Sequence, residues 1–230
     1  MVTEEQGINR MLTTARLISY SQPAEGSELN NDLLQLVAYC ARVSNPGNQN
    51  NEATAEKLVK YLIKHKHWSP LEMVSVCLEI DTTRDIARQI LRHRSFTFQE
   101  FSQRYADPTE DLSFVTREAR LQDTKNRQNS VDIDNDDSIH YIWESYQEVI
   151  IERCKHAYQW AIDAGIAKEQ ARAVLPEGLT KSRMYVNGTL RSWIHYMDLR
   201  MGNGTQKEHA EIAKACAEVI YKLFPVDDVI

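Results

Sequence analysis

Leu71-Glu72-Met73-Val74-Ser75-Val76-Cys77-Leu78-Glu79-Ile80-Asp81 is the stretch on which the fold class turns. Val74, Val76, Leu78 and Ile80 fall on one face, and Met73, Ser75, Cys77 and Glu79 on the other. That period of two is the mark of a β-strand with one side in a core. Immediately after it the period changes. From Thr82 to His93, Ile86, Ile90 and Leu91 recur at helical spacing, with Asp81 or a following threonine placed to cap. Arg84, Arg88 and Arg92 stand four residues apart and line one polar stripe of the same helix.

Working outward, Leu12 to Tyr20 alternates as a strand, and Pro23 and Gly26 make Ser21 to Ser27 a loop. Asn31 to Arg42 and Glu52 to His65 are expected as helices, with Asn and Ser available as caps and a turn at Ser44-Asn45-Pro46-Gly47 between them. Downstream, Ile139 to Ala164 is a long amphipathic helix, and Lys168 to Val174 is a short one closed by Pro176. Lys181 to Val186 is a strand, and Leu190 to Arg200 and Gln206 to Leu223 are closing helices. No internal repeat is visible. The order predicts an α+β fold, a single domain over 1–230 with a mixed sheet core flanked by long helices. Residues 106–138 carry nine acids against four bases with weak periodicity, which predicts an acidic, mobile surface insertion. Its Asp132-x-Asp134-x-Asp136 run lacks the turn glycine and the bidentate glutamate of a calcium loop, so no metal is expected.

The chain has 230 residues, 42% of them apolar and 26% charged, which fits one globular domain. It shows no signal peptide and no apolar run long enough for a membrane span, which predicts a cytoplasmic location and no membrane partner. Cys40, Cys77, Cys154 and Cys216 lie far apart within apolar segments and read as buried reduced thiols. A net charge of −6 argues against a nucleic-acid partner. Between Thr82 and Tyr105, however, five arginines face two acids, Asp85 and Glu100, which suits a pocket for a small anion. No Gly-x-Gly-x-x-Gly turn is present, so a dinucleotide would need another kind of cradle. Asn187-Gly188-Thr189 and Asn203-Gly204-Thr205 match a glycosylation pattern only by coincidence without a secretory signal.

The densest feature is Arg92-His93-Arg94-Ser95-Phe96-Thr97-Phe98-Gln99-Glu100-Phe101-Ser102-Gln103-Arg104-Tyr105. Three consecutive cationic or titratable side chains cannot share one helical face, so Arg92, His93 and Arg94 can reach different ligands. The pattern Arg-His-Arg-x7-Ser resembles the signature of the flavin-dependent thymidylate synthases. Other segments follow in the order of that family: Ala41-Arg42-Val43-Ser44, His67-Trp68-Ser69-Pro70-Leu71-Glu72, Ala87-Arg88-Gln89, Ala171-Arg172 with Leu175-Pro176, Leu190-Arg191-Ser192-Trp193 and Leu199-Arg200. The resemblance thus spans most of the chain. Two features depart from it: Asn187-Gly188-Thr189 precedes Leu190, and His195 replaces an asparagine of some relatives.

The resemblance implies reductive methylation of dUMP to dTMP, with methylenetetrahydrofolate as carbon donor and FAD, reduced by NADPH, as hydride carrier. It implies FAD contacts from Ser69, Arg92, His93, Arg94, Glu100, Leu190, Arg191, His195 and either Thr189 or Asn187. For dUMP it implies Gln89, Ile90, Leu91, Arg92, Glu100, Phe101, Ser102, Gln103, Arg104, Arg172 and Arg200. It also implies a homotetramer with active sites shared between subunits. Uracil carbon 5 is a poor nucleophile, and the chain lacks the Pro-Cys-Gln element that attacks the ring covalently in other thymidylate synthases. Arg200 is therefore expected to be catalytic, stabilising negative charge on the pyrimidine. Ser102 lacks an adjacent base and is expected to position the ligand by its hydroxyl rather than attack. The rival readings are a catalytically inactive nucleotide-binding regulatory protein of the same fold, and an RNA module stacking bases on Phe96, Phe98, Phe101 and Tyr105.

Overall fold

The computed structural model describes residues 14–27, 29, 32–133, 138–202 and 204–226. Its elements run β1 (Thr14–Tyr20), α1 (Leu33–Ala41), α2 (Ala55–Lys64), β2 (Ser75–Thr83), α3 (Arg84–Ile90), β3 (Thr97–Glu100), α4 (Pro108–Asp111), β4 (Arg120–Gln122), β5 (Ser130–Asp132), α5 (Ser138–Asp163), α6 (Lys168–Ala171), β6 (Lys181–Thr189), α7 (Leu190–Arg200) and α8 (Lys207–Leu223). Asn31, where the first helix is expected to begin, lies outside the described residues, as do Leu12 and the calcium-like Asp134 and Asp136. The observed cap of α1 is Asp32, whose carboxylate accepts from the Leu34 amide at 2.8 Å. Among the described residues, no helix is long and apolar enough to cross a membrane.

Four strands form the main sheet in the order β1-β2-β6-β3. Every pairing in it is antiparallel, which corrects the expectation of a mixed sheet. An antiparallel sheet needs helices on one face only and leaves the other open to polar groups. Val74, Val76, Leu78 and Ile80 are all fully buried, as their alternation requires, and pack with Met184 and Val186 of β6 against α1, α2, α3, α7 and α8. β2 itself begins only at Ser75, because Pro70 helps turn Ser69–Glu72 into a single 3-10 turn. On the polar face Glu79 is nevertheless buried, covered by Arg16 through two hydrogen bonds of 3.2 and 3.0 Å.

β3 is a strand that periodicity did not reveal, and β6 extends three residues beyond its expected end, through Asn187-Gly188-Thr189. The two pair from Thr97 with Asn187 to Glu100 with Met184. The signature is thereby carried from the end of α3 onto the edge of the sheet.

Residues 106–133 show weak periodicity because they are fastened by side-chain hydrogen bonds rather than by one apolar stripe. Arg117 exchanges two bonds of 2.8 Å with Gln147 of α5 and reaches Thr83 and Asp85 at 2.6 and 2.7 Å. Phe114 and Val115 are buried, Phe114 in a second small core with Ile151, Tyr158, Ala161, Ala171 and Leu175. β4 and β5 make a hairpin that Arg120 ties to Glu208 at 2.5 Å.

Candidate active site

The Arg92-His93-Arg94 triplet follows α3 in a tight turn, with the His93 amide bonded to the Ile90 carbonyl at 3.0 Å and the Phe96 amide to the His93 carbonyl at 3.2 Å. Two contacts pin this turn to α7: the Ser192 hydroxyl donates to the Ser95 carbonyl at 3.2 Å, and the Phe96 and Trp193 rings meet at 4.6 Å. Phe96 lies so close to β6 that a Cβ on Gly188 would stand 2.3 and 2.5 Å from its ring carbons, so only glycine lets the ring seat there. Arg92 and Arg94 point to solvent, while His93 turns inward.

His93 meets Arg200, the last residue of α7, whose Nε donates to His93 Nε2 at 2.9 Å. The bond requires a neutral imidazole. Burial, with Arg200 and Arg92 adding to it, lowers the His93 pKa to about 4, so the ring is neutral near pH 7 and can accept. Only one of the five guanidinium N–H groups is used by His93, leaving Arg200's terminal nitrogens for an anion. Behind His93, the Tyr196 ring stands edge-on at 5.0 Å and His209 at 6.3 Å. His209 is fully buried, with Nε2 at 3.2 Å from the Tyr196 hydroxyl and Nδ1 at 3.1 Å from Gln89 Oε1. Burial, then Arg200 and His93, push its pKa down to about 3. Gln89 continues to Gln206 at 2.8 Å, and Gln206 to Glu208 at 2.9 Å.

Of the residues implied for a flavin, Ser69, Thr189, Leu190, Arg191 and His195 gather at the start of α7, whereas Glu100 lies apart beside Arg84. Thr189 caps that helix, its hydroxyl accepting from the Ser192 amide at 3.3 Å, and Asn187 is exposed on β6. Arg191 pairs with Glu72 at 3.3 Å, and the exposed His195 meets the Trp68 ring edge-on at 4.6 Å, which brings the turn carrying Ser69 alongside. The Leu190 side chain is wholly buried and its amide is bonded to the Val74 carbonyl at 3.1 Å. Ile90 is also a core residue, and Leu91 is half-buried against the same core.

A second basic group forms on the other side of α3. Arg84 and Arg88 line a cleft of about 280 Å³ with Gln103, Arg172 and Glu177. Arg84 reaches Glu100 at 3.2 Å, and the Ser182 hydroxyl donates to the same carboxylate at 2.9 Å. Arg104 and Arg172 meet at Glu169: Arg104 at its carboxylate at 3.5 Å, Arg172 at its carbonyl at 3.3 Å. Phe101 is held by its amide on the Arg183 carbonyl at 2.8 Å. The Ser102 hydroxyl accepts from the Arg104 amide at 3.4 Å within a turn.

The structure therefore brings Gln89, Arg92, His93 and Arg200 together, gathers Ser69, Thr189, Arg191 and His195 around the start of α7, and groups Glu100, Gln103, Arg104 and Arg172 separately within the chain. Sequence reasoning missed Tyr196, Gln206, Glu208 and His209. A signal existed: Glu208 and His209 open the buried stripe of α8 that continues through Ile212, Ala213, Cys216 and Ile220. An acid and an imidazole on such a stripe need partners.

The family model described as thymidylate synthase complementing protein matches residues 27–226. A probable flavin-dependent thymidylate synthase of Paramecium bursaria Chlorella virus 1 is 49% identical over 213 residues, which is 92% of this chain and 95% of the relative. A flavin-dependent thymidylate synthase of Synechocystis sp. is 48% identical, covering 91% and 95%. Among solved structures, the UMP/dUMP methylase PolB of Streptomyces cacaoi bound with 5-Br dUMP superposes with a TM-score of 0.78 at 26% identity, over 94% of this chain and 93% of that one. Matched along nearly its whole length by relatives of that name, the chain belongs to the flavin-dependent thymidylate synthase family.

Proposed function

We propose that this chain methylates dUMP to dTMP in the cytoplasm, with methylenetetrahydrofolate as carbon donor and FAD, reduced by NADPH, as hydride carrier. The observation that carries the reading is the Arg200 to His93 bond of 2.9 Å, which draws the end of α7 to the signature and holds a guanidinium fork toward an anion. Negative charge developing on a pyrimidine would be stabilised there without covalent attack. The thiols offer no competing route: burial raises the pKa of Cys40, Cys77, Cys154 and Cys216, so none is an activated thiolate.

The donors around α7 suit FAD. Ser69, Arg94 and His195 are exposed and Arg191 half-buried, and together they offer hydroxyl, guanidinium and imidazole groups to pyrophosphate and ring carbonyl oxygens. The Arg191 pair with the half-exposed Glu72 is of the weak surface kind that an incoming anion displaces. For dUMP, Gln103, Arg104 and Arg172 suit the phosphate, and Gln89, Arg92 and Arg200 the base, with Glu100, Phe101 and Ser102 between.

Assembly as a homotetramer would complete a site whose base and phosphate groups come from different copies. Tyr141, Ile142, Trp143, Tyr146, Val149 and Ile150 of α5 have exposures of 43% to 64%, an apolar surface that a second copy would cover.

Purified protein should be yellow, with its flavin bleached by NADPH. Tritium release from dUMP labelled at carbon 5 should require both methylenetetrahydrofolate and NADPH, and should fall about a hundredfold or more in Arg200→Ala. Full turnover by that variant, or dUMP binding by the wild type with no tritium release, would overturn the proposal.

A further inference from the structure

We infer that Glu208, Gln206, Gln89, His209 and Tyr196 form a one-way hydrogen-bond chain that locks the Gln89 amide and so sets a preference for uracil over cytosine. The inference rests on the reading that Gln89 meets the pyrimidine.

The direction follows from the carboxylate at its head. Arg120 donates to Glu208 Oε1 at 2.5 Å, leaving Oε2 to accept from Gln206 Nε2 at 2.9 Å. A carboxylate is acceptor-only, so Gln206 must turn its NH₂ toward Glu208 and its carbonyl toward Gln89. Gln89 must then offer Nε2 to Gln206, at 2.8 Å, and Oε1 to His209, at 3.1 Å. His209 carries its proton on Nδ1, and its bare Nε2 accepts from the Tyr196 hydroxyl at 3.2 Å. Glu208 stays ionised: burial pushes its carboxyl up, but its backbone hydrogen bond, Arg117 and Arg120 outweigh that and hold the pKa below the ordinary value.

Each partner takes one bond of Gln89, so one N–H and one oxygen lone pair remain for a ligand. Uracil offers an N3–H donor beside carbonyl acceptors; cytosine inverts this at N3 and at the exocyclic amine. A free glutamine could rotate its amide to meet either ring. Rotated here, Gln89 would set its oxygen against the Gln206 oxygen, an acceptor facing an acceptor, in a half-buried site.

The chain can be broken or reversed. Gln206→Met removes the link and frees the amide. Glu208→Gln should reverse it: Arg120 still demands an oxygen, so the new NH₂ would face Gln206, and Gln206 and Gln89 would both turn over, with His209 changing tautomer. The test is titration of the oxidised holoenzyme with dUMP and with dCMP, read by calorimetry, in wild type, Gln206→Met, Glu208→Gln and Gln89→Ala. We expect the dCMP to dUMP Kd ratio to fall about tenfold in Gln206→Met and further in Glu208→Gln. An unchanged ratio in both variants, while Gln89→Ala weakens dUMP, would overturn the lock. An unchanged dUMP Kd in Gln89→Ala would overturn the placement of Gln89 at the base, and the lock with it.

Discussion

The two sides of α3 handle positive charge in opposite ways. On one side Gln89 leads into a hydrogen-bonded chain that ends on the buried Glu208 carboxylate, and Arg200 is braced by a neutral His93. On the other, Arg88 pairs with Glu177 and Arg104 with Glu169, all four side chains being 46% to 55% exposed. Buried networks fix geometry because every lost bond leaves a desolvated group, whereas exposed pairs are worth little and yield readily. The buried side is built to hold one guanidinium in one place. Under the proposed function, the exposed side would release its arginines to an arriving phosphate.

The contrast can be broken most decisively at the arginines themselves. Arg200→Lys should lower kcat about a hundredfold, because an ammonium cannot keep the Nε bond to His93 and present a fork at once. Arg172→Lys should instead raise the KM for dUMP about tenfold with kcat held within a few-fold. Steady-state kinetics giving equal losses in kcat would erase the distinction.

Gly188→Ala comes next. Its Cβ would enter the Phe96 ring, at 2.3 Å, and overpacking of this kind costs about 1–3 kcal/mol. Calorimetry should show Tm falling by about 2–4 °C per kcal/mol; an unshifted Tm would mean the ring does not brace the signature turn.

A smaller effect concerns acid. His93 and His209 bind protons more weakly in the fold, at about 4 and about 3, than at the ordinary 6.5. The unfolded chain therefore takes up protons first. The stabilisation is whole above about 6.5 and is lost progressively down to about 4 for His93 and about 3 for His209. Tm measured from about pH 8 to about pH 5 should fall less steeply in His209→Gln than in wild type, and identical slopes would count against a buried neutral His209. Smallest of all, Glu177→Gln should change unfolding free energy by less than about 1 kcal/mol in urea, with the difference vanishing at high salt.

Much of this was legible in the sequence. The alternation of Val74, Val76, Leu78 and Ile80 marked a strand buried on one face, and Leu190 to Arg200 was bounded as a helix to the residue. The signature arginines were visible because fixed spacing survives in a linear string. β3 was hidden: Thr97–Glu100 spans four residues, too few to show a period, and Phe98 is its one apolar side chain. The antiparallel sheet was hidden as well, since β2 and β6 pair across a long intervening sequence and nothing local records their direction. His209 escaped because a polar residue on an apolar stripe shows its purpose only when its partners, Gln89 and Tyr196, arrive from other elements.

By itself the sequence determined which segments are amphipathic, where they start and stop, and which side chains are able to carry charge or donate hydrogen bonds, because these follow from covalent identity and short-range periodicity. Only the tertiary structure decided that Arg200 leans on His93, that Phe96 needs the missing side chain of Gly188, and that the amide of Gln89 has a fixed direction. Those depend on distances between groups far apart along the chain, and on the removal of water that makes an imidazole neutral and a hydrogen bond's direction costly to reverse.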